Sequence, residues 1–482
     1  MSELHAQTVP FVRDTMLPPA APPAMQAGAI KWLRENLFAG PFNTALTLAG
    51  LFLIYLVVQQ FLPWFLHSVW NAKSLGECRA IIEERWGAGA DGACWAVIRE
   101  RWPQFLYGFY PAELYWRPVL ALGLLLICLG PVLFMQSRRA ATIFICAVAA
   151  LTLAALLALG QHNILALAVL AALVAVQFLA PDRLLYVSLL YPAMGFWLLW
   201  GGSVWLPIVA ILGFVAGWGA LRLIQPAAGS IIGLAAAVLL PVLWWLFAAG
   251  PVAEALQQAL PVAIDVVRSE RFGGFVLALT IGVTGIAFSL PMGIVLALGR
   301  RSDMFLVKTL CVGFIEFIRG VPLITLLFVA SLLLNYFLPP GTNFDIILRV
   351  IIMVTIFSAA YIAEVIRGGL AALPRGQYEA ADALGLDYWK AQRLIIMPQA
   401  LKISIPGIVS SFIGLFKDTT LVIFVGLLDP LKGITDAVRA SIEWKGTYWE
   451  PYIFVGLIFW IICFSMSRYS MYLERLLKRE HR

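Results

Sequence analysis

Long apolar runs recur along almost the whole chain and limit what it can fold into. Crossing the hydrocarbon core of a bilayer, about 30 Å thick, takes roughly 20 predominantly apolar residues in a helix. The runs here are separated by short polar breaks, and only 13% of the 482 residues are charged while 61% are hydrophobic. Water cannot be the main solvent of such a chain. The sequence therefore predicts an all-α polytopic membrane protein.

The apolar runs predict twelve transmembrane helices in two groups. An N-terminal seven-span region covers 43–249, an extracytoplasmic connector covers 250–271, and a five-span core covers 272–470. The predicted spans of the first group are 43–66, 118–135, 141–159, 163–180, 184–201, 204–223 and 229–249, and those of the second group are 273–298, 309–337, 346–367, 403–428 and 451–470.

The distribution of cations predicts the orientation of these helices. Lys and Arg concentrate in cytoplasmic breaks, so every second break is expected to be basic. The net charge of +7 thus reflects membrane orientation and gives no reason to expect a nucleic-acid partner. Both termini are predicted to be cytoplasmic: 1–42 as a tail with a Pro-rich patch and no cleavable signal, and 471–482 as a basic tail. The cations on the predicted inner side are Lys31, Arg34, Arg138, Arg139, Arg183, Arg222, Arg300, Arg301, Lys308, Arg375, Lys390, Arg393, Lys402, Arg475, Lys478, Arg479 and Arg482.

One predicted outside segment, 67–117, is long, polar and of mixed charge, which indicates a small extracytoplasmic insert, partly helical around 76–86 and 94–102. It holds Cys78 and Cys94 in the compartment where disulfides persist. We expect a bridge between them, with two unpaired thiols as the alternative. The other four cysteines lie in apolar spans and are interpreted as small packing residues.

No motif of a soluble catalytic or metal site occurs in the sequence. It contains no G-x-x-x-x-G-K-[ST] phosphate loop and no H-E-x-x-H, and its four histidines are scattered. We expect no enzymatic activity and no cofactor in this chain. If ATP is used, another chain binds it.

The polar break at 370–402 is too long for a simple connector between spans. Its pattern predicts a helix over 377–384 followed by Gly385 as a left-handed cap, then a second helix over 388–397 that is capped by Asp387 and ended by Pro398. A surface helix pair with small residues at 380–381 suits a groove on a partner protein.

The break carries a specific resemblance. Glu379-Ala380-Ala381, Gly385, Ile395 or Ile396, and Pro398-Gln399-Ala400 resemble the EAA loop of ATP-binding-cassette (ABC) importer permeases, with Met397 where a Leu is common. Three further segments look like those of polar amino acid permeases, and the resemblance covers about 270–470. The seven preceding spans look like the extended subunit of general L-amino acid importers. The three segments are Glu316-Phe317-Ile318-Arg319-Gly320-Val321-Pro322-Leu323, Tyr361-Ile362-Ala363-Glu364-Val365-Ile366-Arg367-Gly368-Gly369 and Lys417-Asp418-Thr419-Thr420-Leu421.

The resemblance implies a five-helix type I permease core that forms half of a translocation path for L-amino acids. It implies an ABC ATPase homodimer that binds ATP-Mg, a second related permease chain and an extracytoplasmic amino-acid-binding protein as partners. The chain itself would be embedded in membrane lipid of the bacterial inner membrane. The residues expected to couple to the ATPase are Glu379, Ala380, Ala381, Asp382, Gly385 and Trp389.

Ionisable residues within predicted spans are functional candidates because each costs about 2.5–3.5 kcal/mol at the bilayer centre. Two pairs, Glu316 with Arg319 and Glu364 with Arg367, have three-residue spacing, so each can be a structural ion pair or part of the substrate path. A further group, Lys417-Asp418-Thr419, lies deeper and is favoured for the substrate path, because a zwitterion needs an acceptor for its ammonium and donors for its carboxylate. An ion pair that only fixes helix register is the alternative.

Other classes remain open from the residues alone. An ion-gradient-driven secondary transporter predicts internal repeats and midplane carboxylates, and no repeat relates the seven spans to the five. A membrane-embedded enzyme needs a reactive cluster at one membrane face, and none stands out. The glycines of the core spans, Gly282, Gly285, Gly293, Gly407 and Gly414, fit close helix approach.

Overall fold

The computed structural model describes residues 28–135, 137–160, 164–333, 336 and 345–479, and these residues are mainly helical. The predicted Pro-rich tail lies largely within 1–27, outside the described residues, as does the end of the basic tail. Contacts divide the chain into two compact units, 1–72 with 76–95, and 73–75 with 96–482.

The first unit contains α1 (Gly28–Asn36), α2 (Pro41–Leu66) and most of α3 (Leu75–Trp86). α2 has a mean hydropathy of 2.0 over its most apolar stretch and buries none of its 26 residues, as expected of a helix that is solvated by lipid. A disulfide joins Cys78 to Cys94, with the Cα atoms 6.1 Å apart. Trp95 stacks on Trp70, with ring centroids 5.8 Å apart, so the polar insert has a small core of its own.

The second unit begins with helices of the N-terminal membrane region, of which α7 has only 16 residues. A short antiparallel pair, β1 (Gly202–Ser203) and β2 (Ala263–Ile264), lies within this unit. The helices are α4 (Ala96–Tyr107), α5 (Trp116–Leu133), α6 (Arg138–Ala158), α7 (Ile164–Leu179), α8 (Pro181–Trp200), α9 (Trp205–Ala228), α10 (Ser230–Leu243), a π segment (Trp244–Ala248) and α11 (Ala249–Ala259).

The C-terminal part of the second unit is built from long helices interrupted at specific residues. Its helices are α12 (Gly274–Arg300), α13 (Phe305–Gly320), α14 (Leu323–Phe328) with a π segment (Val329–Leu333), α15 (Ile346–Ala371), α16 (Arg375–Ala383), α17 (Tyr388–Ala391) with a π segment (Gln392–Ile396), α18 (Met397–Asp418), a 3₁₀ segment (Thr419–Val425), α19 (Gly433–Arg439) and α20 (Trp449–Arg479).

Each of the twelve predicted spans has a helical counterpart among the described residues, but one of these spans is not a single continuous helix. Ten helices are long and apolar enough to cross a membrane, α7 is short, and the predicted span 309–337 is broken by a bend of 102° between α13 and α14. Val321 is extended, at φ −104° and ψ 132°, and precedes Pro322. The proline ring disfavours helical geometry at the preceding residue, which explains the break.

The predicted helix end at Pro398 is also wrong. The chain stays helical from Tyr388 to Val425, a stretch of 38 residues. The π segment Gln392–Ile396 immediately precedes Pro398, which occupies the first turn of α18. Because helical turns precede it, Pro398 removes one backbone hydrogen bond and crowds the turn before it, and the irregular π segment lies at that turn. The second helix of the polar break therefore continues directly into a membrane span.

Glycines bring α12 close to the helices of the core. A Cβ atom on Gly282 would lie 2.7 Å from the Phe416 ring, and one on Gly293 would lie 2.7 Å from Ile362. Both separations are too short for any side chain, so α12 packs directly on α15 and α18. The interpretation of these two glycines as close-approach positions is confirmed.

Within the second unit, the C-terminal end of α8 is linked by hydrogen bonds to the N-terminus of α15. Trp200 of α8 donates its indole N–H to the Ser269 hydroxyl at 2.8 Å, and Ser269 donates to the Asp345 carboxylate at 2.5 Å. Asp345 also caps α15, because its carboxylate accepts the N–H groups of Ile347 and Leu348. One carboxylate thus ties both regions together.

Candidate functional site

Within the polar break at 370–402, α16 and α17 are joined by a compact turn over 384–387. The Gly385 N–H donates to the Asp382 carbonyl at 2.9 Å, and the Leu386 N–H donates to the Ala381 carbonyl at 3.2 Å. Gly385 has φ +68°. These two bonds and the left-handed glycine form a Schellman motif, which satisfies the last carbonyls of α16. The cap predicted at Gly385 is confirmed, although α16 begins and ends slightly earlier than predicted.

The second helix of the turn begins with a side-chain cap. The Asp387 carboxylate accepts the Lys390 backbone N–H at 2.9 Å and forms an ion pair with the Lys390 ammonium at 3.0 Å. The backbone N–H of Lys390, followed by its ammonium, holds the pKa of Asp387 below its usual range. The cap therefore stays charged at neutral pH and stabilises the start of α17.

One face of α16 is attached to the core. Arg301 donates from Nη1 to the Tyr378 hydroxyl at 3.0 Å, and Gln399 donates to Gln377 at 2.9 Å. Ala381 lies on the same face as Tyr378, three residues on, and is buried. The protein's own chain thus covers Ala381, so any part it has in coupling to the ATPase is through the packing of α16 and stays a prediction.

The opposite face of the turn is exposed and combines acidic with apolar side chains. Glu379, Ala380 and Asp382 are exposed on α16. Three large apolar side chains of the same polar break are also exposed, with exposed fractions of 73% for Leu384, 70% for Trp389 and 64% for Leu394. Large apolar side chains grouped beside polar ones mark an interaction surface. We call this face, which consists of Glu379, Ala380, Asp382, Leu384, Trp389 and Leu394, the loop face.

A second feature is an ionic cluster, defined by Arg300, Glu316, Arg319, Glu364 and Arg367, at the ends of three helices. Glu364 is its centre. Its carboxylate accepts from Arg367 Nε at 2.7 Å, and it lies 3.3 Å from Arg300 Nη1 and 3.9 Å from Arg319 Nη1. Three guanidinium groups against two carboxylates leave one positive charge in excess. The cluster joins α12, α13 and α15.

The structure assigns these ion pairs differently from the sequence analysis. Glu364 pairs with Arg367, as the spacing allows, but Glu316 binds Arg300 at 2.8 Å, and Arg319 turns towards Glu364. We interpreted Arg300 only as an orienting cation. Its role follows from the packing of α12 on α15, for which no signal exists in the neighbouring sequence.

The third candidate group lies where α18 changes to a 3₁₀ helix. Lys417 is exposed, Asp418 is half-buried, and Thr419 is buried with its hydroxyl donating to the Phe416 carbonyl at 2.7 Å. Across the part of the chain that the structure describes, no cation forms an ion pair with Asp418 within 4.0 Å. A carboxylate in this setting is available to a ligand.

The two charged groups are separate. Val365 is next to Glu364, the centre of the ionic cluster, and packs against Gly407 of α18. The packing is so close that a Cβ atom on Gly407 would clash with Val365. Eleven residues of helix, about 16 Å at 1.5 Å per residue, lie between Gly407 and Asp418. The sequence-predicted residues therefore form two sites along one helix rather than a single pocket.

Comparison with known proteins decides which class of protein carries these sites. Residues 289–479 match the family of binding-protein-dependent transport system inner membrane components. The chain is 60% identical, over 98% of its length and 99% of the relative, to the glutamate/glutamine/aspartate/asparagine transport system permease protein BztC of Rhodobacter capsulatus. The chain belongs to this family of amino-acid ABC importer permeases.

The permease resembles relatives of two lengths. It is 36% identical to the inner membrane amino-acid ABC transporter permease protein YhdY of Escherichia coli, with 95% of each chain covered. It is 32% identical to the glutamate/aspartate import permease protein GltK of Escherichia coli over 208 residues, which are 42% of the permease and 91% of that protein.

Membership of the family establishes the general function. The protein is a multi-span inner membrane permease of an amino-acid ABC transporter; it is a transport protein and not an enzyme. Such an importer works with an ATPase and a binding protein. The relatives give no support to the alternative of an ion-gradient-driven secondary transporter.

Proposed function

We propose that the permease translocates glutamate, glutamine, aspartate and asparagine into the cell. The support is its likeness to BztC over nearly the whole of both chains. The excess positive charge of the ionic cluster agrees with this choice, because guanidinium groups bind carboxylates through charge-assisted hydrogen bonds. Cationic amino acids would meet repulsion there.

Coupling to ATP enters through the loop face. Its acidic and apolar side chains dock on a separate ATPase homodimer, which binds ATP-Mg, while Tyr378 and Gln377 on the inner side of α16 transmit the movement to the core. The observation that carries this proposal is that only one face of α16 is buried, with Ala381 covered and Glu379 and Asp382 exposed. A helix that is anchored on one face and free on the other is suited to helix-in-groove docking.

The substrate path runs between the two charged groups. Asp418 receives the substrate ammonium, and the exposed Lys417 beside it orients the carboxylate. Thr419, which is buried and donates its hydroxyl to the Phe416 carbonyl, belongs to the path as a positioning residue for Asp418. At the other group, Glu316, Arg319, Glu364 and Arg367, with Arg300, hold α12, α13 and α15 together and release them when the inner side opens. The broken helix α13–α14 belongs to this path, since irregular backbone within a membrane is tolerated where it lines a cavity or is buried in protein.

The assembly contains further chains. A second, related permease supplies the other half of the path, and an extracytoplasmic binding protein delivers the amino acid. Both termini of this permease are cytoplasmic, in accordance with the basic breaks between its spans.

The test is an ATPase assay on the complete transporter. The full-length permease would be purified with its co-expressed neighbours, reconstituted in vesicles, and supplied with its binding protein and one amino acid at a time. We expect ATP hydrolysis to rise several-fold with glutamate, glutamine, aspartate or asparagine and not with arginine. Equal stimulation by arginine would contradict the proposed substrates, and a complex without any ATPase subunit would contradict the proposed coupling.

A further inference from the structure

A large cavity lies inside the second unit, away from both charged groups. Its volume is about 1370 Å³, above the range of roughly 300–1,000 Å³ that is typical of small-molecule sites. Its walls come from α5, α6 and α8 of the N-terminal region and from α12 and α15 of the core. The cavity therefore lies where the seven-span region meets the five-span core.

The lining of the cavity suits neither water nor an amino acid. Most of it is aliphatic or aromatic, and several polar side chains are bonded to backbone carbonyls. Thr280 donates to the Val276 carbonyl at 2.7 Å, and Thr152 donates to Val148 at 2.8 Å. An internal water needs two to four polar partners, which such walls do not supply. An apolar occupant fits these walls, and the exposed side chains of Phe288 and Val295 show that the cavity is open to the surroundings of the helices.

The cavity is elongated along α12. Lining residues extend from Phe275 to Val295, which is 20 residues or about 30 Å of helix. This is the face of α12 opposite to the glycines that contact α15 and α18, and Phe288 and Val295 on it are 53% and 66% exposed. A long apolar space that is parallel to a membrane-spanning helix has the shape of a lipid acyl chain.

One charged side chain lines the cavity among the described residues. This is Asp345, exposed at the N-terminus of α15. Its carboxylate accepts hydrogen bonds from Ser269, Ile347 and Leu348, all of them neutral donors, and no described cation lies within ion-pair distance. Tyr107 and Trp200 line the same end, and Tyr and Trp are enriched at the level of lipid headgroups.

We propose that the cavity is a binding site for one membrane phospholipid with an amine headgroup, such as phosphatidylethanolamine. Its acyl chains lie along α12 between the N-terminal region and the core. Its ammonium group lies at Asp345 and neutralises that carboxylate. The lipid thereby completes the packing between the seven-span region and the permease core.

The experiment counts phospholipids by native mass spectrometry on the full-length permease, purified with its transporter partners in mild detergent. Equal amounts of phosphatidylethanolamine and phosphatidylglycerol are then added as competing probes. We expect the wild type to retain one phospholipid and to prefer phosphatidylethanolamine about tenfold. The double variant Val283→Trp/Thr284→Trp fills the cavity and should retain several-fold less. Leu189→Trp is the matched control, because Leu189 is 75% exposed on α8 and does not line the cavity.

The variant Asp345→Asn tests the binding of the lipid headgroup independently of the binding of its acyl chains. Asparagine still caps a helix, so α15 and the acyl-chain site remain, and the two lipids should bind about equally. This variant tests the proposal even if the double tryptophan variant does not fold. Retention unchanged by the double variant, or a preference unchanged in Asp345→Asn, would overturn the site. A photoreactive side chain in place of Phe288 should label lipid; labelling of another protein chain instead would show that a partner helix occupies the cavity and would overturn the proposal.

Discussion

The Glu364 carboxylate lies 3.3 Å from the Arg300 guanidinium and joins α15 to the end of α12. Because Glu364 also binds Arg319 and Arg367, its side chain, which is 22% exposed, holds three cations that would otherwise repel one another. This centre joins α12, α13 and α15, so any separation of these three helices must break its ion pairs.

The first prediction concerns this centre. Glu364→Gln removes the shared anion and should lower the stability of the permease by about 2 kcal/mol, the range of hydrogen bonds to charged groups. Glu316→Gln is the control. Glu316 pairs with Arg300 and is 53% exposed, so its loss should amount to at most about 1 kcal/mol. Thermal unfolding in detergent and initial uptake rates measure the difference; equal effects of the two changes would refute the central role of Glu364.

The second prediction concerns the turn of the loop face. Gly385→Ala places a Cβ at φ +68°, a backbone conformation that costs an L-residue roughly 1–2 kcal/mol. We expect weaker association with the ATPase and lower substrate-stimulated hydrolysis, with normal membrane insertion. Gly376→Ala is the matched control, since Gly376 lies in α16 without a positive φ and has open space around it. Full coupling in Gly385→Ala would show that the turn does not position the docking surface.

The third prediction uses two neighbouring glycines of α15. A Cβ on Gly369 would clash with the Ser404 hydroxyl and lie 2.6 Å from the Ala400 carbonyl, whereas one on Gly368 meets nothing within 4 Å. Gly369→Ala should destabilise by about 1–3 kcal/mol through overpacking against α18. Gly368→Ala should be neutral or stabilise by up to about 1 kcal/mol through helix propensity. Thermal unfolding of the two variants side by side is the measurement, and equal midpoints would contradict the close approach.

The fourth prediction tests the first unit. Cys78 and Cys94 are bonded to each other and buried, so an impermeant maleimide should label them in intact cells only after reduction has opened the bridge and loosened this unit. A bridge that closes a loop of about 15 residues is worth about 3 kcal/mol in the chain-entropy description, so Cys78→Ala/Cys94→Ala should lower the stability of this unit. Labelling without a reductant would disprove the bridge. Labelling only in opened cells would disprove the predicted outside position.

The fifth prediction concerns the candidate substrate residue. Asp418→Asn keeps the size of the side chain and removes its charge, so uptake should fall at least tenfold while the ATPase subunits still co-purify. Asp436→Asn is the control, since Asp436 is exposed on α19 and pairs with Lys432. Unchanged uptake and selectivity in Asp418→Asn would remove this carboxylate from the path.

Local patterns predicted much of the fold. Apolar runs of about 20 residues predicted a membrane helix at each position where one is found, because solvation by lipid depends on composition. They did not predict the helix ends, since the helix Tyr388–Val425 begins well before the predicted span 403–428. Gly385 and Asp387 were predicted as caps, since capping is decided within four or five residues of chain. The helix break at Val321 also has a local cause, the following Pro322. The prediction of one span over 309–337 missed it, because that prediction counted only apolar residues.

The sites depended on contacts that no local pattern contains. Arg300 and Glu364 are 64 residues apart and meet because Gly293 allows α12 to lie directly on Ile362 of α15. Likewise, Ala381 belongs to the motif that indicated an outward docking surface, yet the core covers it. By itself the sequence determined that the helices lie in a membrane, where the helical segments are and which residues cap them, because these are properties of short stretches. Only the tertiary structure decided which charges pair, which face of α16 is free and where the apolar cavity lies, because these depend on helix surfaces that are brought together from distant parts of the chain.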